Sequence, residues 1–199
     1  MSKIYFYTSA MNSGKTTTAI QTAWNYRERG MRPLVLKPVV DTRDGDPRKL
    51  SSRSGAHWDN CVPFPTEGIG PMLEGILEVA SEKLDVIIID EVQFISEEQI
   101  AKLADICEQL DIPLLCYGLR NNFQGGGFPA SDWLLRHASS VNIVKGMCWC
   151  GKNATHNMMV KDGKAHYGGD GESAVCVGGN ETYHAVCFKH FKSGQFERD

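Results

Sequence analysis

The stretch YTSAMNSGKTTT, Tyr7–Thr18, decides the fold of this chain. It overlaps the end of a β-rich segment, KIYFYT, and leads into a segment with helical spacing of apolar residues that ends at about Arg29. A strand, a glycine-containing turn and a helix start form a phosphate-binding loop, because backbone N–H groups and the helix dipole favour an anion there. Lys15 would reach the β- and γ-phosphates of a nucleotide, and Thr16 would bind Mg²⁺.

One position departs from the usual pattern G-x-x-x-x-G-K-[ST], because Ser9 stands where the first glycine belongs. A small serine can replace glycine where φ is mild. We therefore expect the loop to keep its shape, with Ser9 in an ordinary backbone region. The alternative is a chance Gly-Lys-Thr at a helix start, which the flanking strand and helix patterns make the weaker interpretation.

Further apolar segments predict a sheet around this loop. PLVLKPVV, LDVIIIDEVQF, IPLLCYG and VNIVK have the composition of buried strands. Helical spacing follows Ser96, which forms a predicted capping box with Gln99, and a shorter helix runs to His137. A weak helix is expected at about 71–80, and a long loop at 41–60. Alternating strands and helices predict a P-loop NTPase-like α/β fold, with a parallel sheet flanked by helices.

The composition changes after Lys145, where Cys, Gly, His and Asn replace the apolar periodicity. We therefore predict an α/β nucleotide-binding domain over 1–145, a small zinc-binding domain with a lid loop over 146–193, and a tail over 194–199. With 199 residues, 42% of them hydrophobic, the chain can bury a core.

Charge and hydropathy limit the partners. The net charge of −3 gives no overall basic field to attract nucleic acid. The apolar runs are far shorter than a membrane span, and the first residues do not resemble a signal peptide. The expected location is the cytoplasm, with no nucleic-acid or membrane partner.

Two acids follow the most apolar predicted strand. Ligands of such folds bind beyond the carboxyl ends of the strands, where Asp90 and Glu91 lie. Since successive side chains of a strand point to opposite faces, the two acids should have different roles. We expect Asp90 near Mg²⁺ and Glu91 facing an acceptor hydroxyl as a general base. Alternatively, Glu91 caps a helix or pairs with a neighbour.

Four of the seven cysteines lie in the last third of the chain, which in a reducing compartment indicates metal binding. Close pairs in CWCGK and VCFKH suit tetrahedral Zn²⁺, with the predicted ligands Cys148, Cys150, Cys187 and His190. Competing ligands are Cys176, His184 and His156. With no open coordination position, the zinc would be structural. Cys61, Cys107 and Cys116 lie singly, and Cys107 and Cys116 fall in apolar helix and strand patterns that predict buried free thiols.

The glycine-rich segment YGGDGESAVCVGGNETYHAVC lies between the two metal-ligand pairs. Held at both ends, it could close over a ligand through its backbone groups. An exposed hairpin with flexible turns is equally compatible with its composition.

The motifs together resemble the type II thymidine kinases, and the resemblance runs from Lys3 to about Lys192. YFYTSAMNSGKTT, NYRERGM, DTRDGD, IIIDEVQF, CYGLRNNFQGGGF, CWCGKNAT and VGGNETYHAVCFKH occur in order. Ser9 and the C-x-C/C-x-x-H ligands differ from the animal pattern and are similar to the bacterial and phage branch.

The resemblance implies an ATP-dependent transfer of the γ-phosphoryl group to the 5′-hydroxyl of thymidine, for pyrimidine salvage. Glu91 would be the catalytic base. ATP and Mg²⁺ would be held by Ser9, Ala10, Met11, Asn12, Ser13, Gly14, Lys15, Thr16, Asp90, Glu91, Val92 and Gln93. The nucleoside and the transferring phosphate would be contacted by Met11, Asp41, Arg43, Phe94, Phe123, Phe128, Thr155, Val177, Gly178, Gly179, Asn180 and Tyr183. The glycine-rich segment would be the family's substrate-gripping lasso.

The same resemblance implies a homotetramer inhibited by dTTP. Backbone donors and acceptors can match O4, N3–H and O2 of thymine, and cytosine would leave them unpaired, so cytosine should be rejected. Loss of the 5-methyl group costs only about 1–3 kcal/mol, so deoxyuridine should be a weaker substrate.

Two other functions fit parts of the pattern. A zinc-ribbon ATPase that depends on nucleic acid would need a basic groove with aromatic residues, which the charge balance does not favour. A nucleotide sensor without catalysis would not need both Asp90 and Glu91.

Overall fold

The computed structural model describes residues 3–41, 45–65, 68, 70, 76, 83–168 and 183–198. The weak helix expected at 71–80 lies outside these residues except for position 76, and most of the predicted lasso, 169–182, lies outside them as well.

The elements of the larger unit follow the predicted alternation. In chain order they are β1 (Ile4–Ser9), α1 (Lys15–Glu28), β2 (Pro33–Pro38), β3 (Leu50–Ser51), β4 (His57–Trp58), β5 (Val62–Phe64), β6 (Val86–Ile89), a 3₁₀ turn (Val92–Phe94), α2 (Glu97–Leu110), β7 (Leu114–Leu119), α3 (Pro129–His137) and β8 (Ser140–Ile143). The capping box at the start of α2 is present, because Ser96 and Gln99 exchange side-chain and backbone hydrogen bonds.

Six strands form one parallel sheet in the order β5-β2-β6-β7-β1-β8. The central β6 is fully buried, which accounts for its unbroken apolar sequence. Helices α2 and α3 cover one face with a core that includes Leu103 and Leu134. Helix α1 covers the other face through Ile20 and Ala23. The predicted α/β class is confirmed. Because the strands are parallel, the carboxyl ends of β1 and β6 lie at the same edge of the sheet.

The segment predicted as a long loop is more ordered than expected. Strands β3 and β4 pair as a short antiparallel hairpin, with Leu50 opposite Trp58. Both side chains are buried against α1, and the Trp24 and Trp58 rings meet edge-on with centroids 5.3 Å apart. The hairpin depends on this tertiary packing. Strands of two residues are too short to show a recognisable pattern in the sequence.

The C-terminal unit consists of β9 (Gly146–Met147), β10 (Asn153–Ala154), β11 (His156–Lys161), β12 (Lys164–His166), β13 (Tyr183–Val186) and α4 (Phe188–Ser193). Strands β12, β11 and β13 form an antiparallel sheet, and β9 pairs with β10. Across the described ranges, no helix has the length and apolar character needed to cross a membrane.

Candidate active site

The phosphate loop turns between β1 and α1 with two residues at positive φ. Gly14, directly before α1, has φ 81°, and Asn12 has φ 62°. Asparagine tolerates this region better than most residues, and glycine adopts it freely. Ser9 is not among the positive-φ residues and ends β1 in extended backbone. The expectation of an ordinary conformation at Ser9 is therefore confirmed.

Lys15 is 7% exposed, and its side chain reaches the first residues of the loop. Its Nζ donates to the Ala10 carbonyl at 2.9 Å and to Ser9 Oγ at 3.1 Å. The hydroxyl of Ser9 in turn donates to the Ala10 carbonyl at 2.9 Å. The serine that replaces the usual glycine thus contacts the lysine of the same loop.

Thr16 and Asp90 join the loop to the end of β6. The Thr16 hydroxyl donates to Asp90 Oδ2 at 2.8 Å, and Asp90 is 1% exposed. A hydroxyl and a carboxylate side by side are hard oxygen donors of the kind that Mg²⁺ prefers. This pair therefore fits the predicted magnesium site.

Glu91 takes a different direction from Asp90, but not through strand alternation. Strand β6 ends at Ile89, and Glu91 has left-handed backbone with φ 51°. Glu91 Oε2 accepts from Gln93 Nε2 at 2.5 Å, and Gln93 Oε1 accepts from the Leu119 N–H at 3.0 Å. The predicted separation of the two acids is present, and its cause is the turn after β6.

Gly118 makes room for this arrangement. A Cβ on Gly118 would lie 2.6 Å from Gln93 Oε1 and 2.7 Å from a Val92 methyl group. Strand β7 can approach the 3₁₀ turn only because that side chain is missing. Gln93, 2% exposed, is thereby fixed between Glu91 and β7.

A single cavity of about 330 Å³ connects the phosphate loop to a group of aromatic side chains. Lys15 and Thr16 line one part of it, and Glu91 lines it as well. The other predicted residues along its wall are Met11, Asn12, Ser13, Gly14, Asp41, Gln93, Phe94, Phe123, Phe128 and Tyr183. A phosphate-binding loop, a carboxylate and an apolar pocket therefore share one space.

Other predicted residues lie elsewhere. Among the described residues, Val92 and Thr155 do not line the cavity; Val92 is fully buried, and the Thr155 carbonyl accepts from Asn121 Nδ2 at 3.2 Å. Ser9, Ala10 and Asp90 do not line the cavity either. They accept hydrogen bonds from the Lys15 and Thr16 side chains of the loop. Arg43, Val177, Gly178, Gly179 and Asn180 lie outside the described residues.

Besides Thr17 and Leu119, two groups of cavity residues were not predicted. The hairpin contributes Ser51, Ser52, Arg53 and Ser54, and Ser54 Oγ lies 3.1 Å from Thr17 Oγ1 of α1. Three asparagines, Asn121, Asn122 and Asn157, also line the cavity. No local spacing singles these residues out, because each reaches the cavity through tertiary contacts.

The predicted metal ligands converge in the C-terminal unit. The ligand atoms of Cys148, Cys150, Cys187 and His190 all lie within 4.8 Å of one another. Cys150 Sγ and Cys187 Sγ are 4.0 Å apart, and Cys148 Sγ lies 3.3 Å from His190 Nδ1. Tetrahedral Zn–S bonds of about 2.3 Å place sulfur atoms about 3.8 Å apart, so the four residues fit zinc.

The surroundings of the cluster differ from one cysteine to the next. Burial raises the pKa of Cys148, whereas the backbone N–H of Lys152 lowers the pKa of Cys150. His190 is 5% exposed and stacks on the Trp149 ring at 4.2 Å between centroids. Of the competing ligands, His184 lies near the Phe196 ring and His156 near Phe191, and Cys176 is outside the described residues.

Comparison with known proteins gives a consistent result. The model of the thymidine kinase family matches residues 2–191. The thymidine kinase of Shewanella oneidensis is 42% identical over 96% of this chain and 97% of its own length. Those of Rhodopirellula baltica and Francisella tularensis are each 40% identical, over 100% and 99% of this chain and 92% and 100% of their own lengths. A solved structure, the Pif1 helicase from Candida albicans, is 14% identical with a TM-score of 0.43 over 73% of this chain and 36% of its own, a likeness too low to support an inference.

Proposed function

The chain belongs to the thymidine kinase family, and on that premise we propose that it transfers the γ-phosphoryl group of ATP to the 5′-hydroxyl of thymidine. The products are thymidine 5′-monophosphate and ADP. The observation that carries the proposal is the single cavity in which Lys15, Thr16 and Glu91 meet four aromatic side chains. Phosphoryl transfer needs donor and acceptor fixed side by side, and a continuous cavity allows this.

The phosphate loop would hold the ATP phosphates through the backbone of residues 9–16. Lys15, now bonded to Ser9 and Ala10, would exchange these contacts for the β- and γ-phosphates. Thr16 and Asp90 would hold Mg²⁺, directly or through water. When bound, Mg²⁺ neutralises the charge on the β- and γ-phosphate oxygens.

Glu91 would act as the general base. Its carboxylate would accept the proton of the thymidine 5′-hydroxyl as that oxygen attacks the γ-phosphorus, and the bond to the bridging oxygen of ADP breaks. The hydrogen bond from Gln93 occupies one carboxylate oxygen and orients the other. Gln93 is thus a positioning residue, tied in turn to β7 at Leu119.

The nucleoside would lie among the aromatic residues of the cavity. Phe94, Phe123, Phe128 and Tyr183 provide apolar surface for the base and sugar, and Met11 packs with Phe123 and Tyr183. Residues 177–180 would meet the thymine edge through their backbone. Thr155 would border the 5-methyl group. Asp41 and Arg43 would lie near the transferring phosphate. Val92 would support the turn that carries Glu91.

The C-terminal unit would serve as the substrate lid, beginning at residue 146 and anchored by structural zinc on Cys148, Cys150, Cys187 and His190. The family further supports a homotetramer, inhibition by dTTP and a cytoplasmic location as parts of this proposal. The family match does not favour the nucleic-acid-dependent ATPase as an alternative.

A transfer assay with γ-labelled ATP and each deoxynucleoside tests the proposal. We expect label on thymidine, weaker labelling of deoxyuridine by about 10- to 200-fold, and background labelling of deoxycytidine, deoxyadenosine and deoxyguanosine. ATP hydrolysis that DNA stimulates, with all nucleosides unlabelled, would contradict it and favour the ATPase.

A further inference from the structure

Asn157, on β11 of the C-terminal unit, joins three separate segments through one buried side chain. It is 2% exposed and lines the cavity. Its Oδ1 accepts from the Met11 N–H of the phosphate loop at 2.7 Å. Its Nδ2 donates to the Asn121 carbonyl at 3.1 Å. The partners fix the orientation of the amide, because an N–H can only donate and a carbonyl can only accept.

Both partners of Asn157 line the cavity, and each belongs to a different segment of its wall. Met11 precedes Asn12, whose positive φ turns the loop toward the phosphate site. The Met11 side chain packs with Phe123 and Tyr183, so this residue joins the phosphate loop to the aromatic part of the cavity. Its backbone N–H donates to Asn157.

Asn121 begins the loop that carries Phe123 and Phe128. It bridges to Gly127, which closes the loop, and Asn122 Oδ1 accepts from the backbone N–H groups of Gln124 and Gly126. The Asn121 side chain donates to the Thr155 carbonyl. Two asparagines thus bind this loop reciprocally to the C-terminal unit.

We propose that Asn157 is a positioning residue that couples nucleotide binding to nucleoside binding. The inference rests on the proposed function, since it concerns the two substrates of that reaction. A nucleotide fixes the phosphate loop and Met11, and Asn157 transmits this to the loop with Phe123 and Phe128. The second substrate then binds to a loop that is already ordered, which gives positive coupling.

Calorimetric titrations test the coupling directly. The non-hydrolysable ATP analogue AMP-PNP with Mg²⁺ is titrated into the zinc-loaded protein with and without saturating thymidine. We expect thymidine to tighten AMP-PNP binding by at least about 5-fold in the parent, and AMP-PNP to tighten thymidine binding by the same factor. A parent ratio within about 2-fold of one would overturn the proposal.

Asn157→Leu removes both hydrogen bonds at similar volume, and Asn157→Asp keeps the acceptor for Met11 but cannot donate to Asn121. Both variants should bring the ratio to within about 2-fold of one. Asn153→Leu, the same change at an exposed position of β10, should keep the parent ratio. Asn157→Asp decides the test if Asn157→Leu fails to fold.

Unfolding temperature and zinc content establish that a variant is folded, and neither would report the coupling. Folded Asn157 variants that keep the parent ratio would overturn this inference but leave the proposed function intact. A parent that labels no thymidine in the transfer assay would instead speak against the proposed function.

Discussion

The six-stranded sheet and the C-terminal unit both supply walls of the cavity, but their buried cores differ in size. In the described residues, the two faces of the sheet bury clusters of eighteen and eleven side chains. The cluster in the C-terminal unit has seven, of which one is Ala10 of the phosphate loop and two are the predicted metal ligands Cys148 and Cys187. So small a core gives the C-terminal unit little packing, and a metal on its four predicted ligands would supply the missing stability.

This contrast explains a division of tasks. The phosphate loop and both acids lie at strand ends of the sheet, where positions are set by a ladder of parallel strands. The C-terminal unit brings Asn157 and Tyr183 to the cavity from β11 and β13. Under the proposed function, packing would set the binding geometry on the side of the sheet, and metal coordination would set it on the other side.

Loss of zinc should give the largest effect. Cys187→Ala, or treatment with a strong zinc chelator, should release one zinc per chain, unfold the C-terminal unit and reduce thymidine phosphorylation to background. The sheet should persist, because none of its core residues is a metal ligand. Zinc analysis measures the release of the metal, and far-UV circular dichroism measures how much secondary structure persists.

Cys107→Ala is the matched control, since it removes a buried cysteine from α2. It should retain zinc and activity. The comparison between the two units would fail if chelation melted both together, or if Cys187→Ala kept its full zinc content.

Glu91→Gln should give the next largest effect, confined to chemistry. The amide keeps the shape but cannot accept the hydroxyl proton, so kcat should fall by about 10²- to 10⁴-fold. Binding of ATP and of thymidine should change little, because the fold around Glu91 stays intact. Single-turnover rates and equilibrium binding separate the two quantities.

Glu97→Gln makes the same change at a surface position of α2, where Glu97 pairs with Arg136 and is about half exposed. It should keep the parent rate. A Glu91→Gln variant that phosphorylates thymidine near the parent rate would show that Glu91 is not the general base.

The contrast between the two regions also marks what the sequence could predict. The phosphate loop, the α2 capping box and the four metal ligands were all predictable, because each depends on spacing within a few residues or on paired short motifs. The hairpin of β3 and β4 was not predictable. Its short strands pack against α1, and this tertiary contact leaves no local pattern in the sequence.

Asn157 shows the limit most clearly. Its partner Met11 is 146 residues away in sequence, and the strand HNMMVK has no spacing that marks this asparagine. The different directions of Asp90 and Glu91 were predicted from strand alternation, whereas a left-handed residue produces them. Contacts between recognisable motifs were therefore predictable, and contacts between distant residues that belong to no motif were not.

Ser9→Gly, which restores the usual glycine of the loop, should give the smallest effect. The Ser9 hydroxyl accepts from Lys15 Nζ, and the Ala10 carbonyl remains as an acceptor when the hydroxyl is lost. A single hydrogen bond of this kind contributes about 0.5–1.5 kcal/mol net, so the KM for ATP should change by less than about 10-fold.

Backbone strain adds nothing to this difference. Ser9 has no positive φ, so glycine would relieve no strain and would only add freedom to the unfolded chain. Steady-state kinetics at varied ATP measure the effect, and Lys15→Met, which removes the cation itself, sets the scale of a severe loss. If Ser9→Gly approached the loss of Lys15→Met, the hydroxyl would hold the lysine in its working position, and the packing of the sheet alone would not determine the phosphate site.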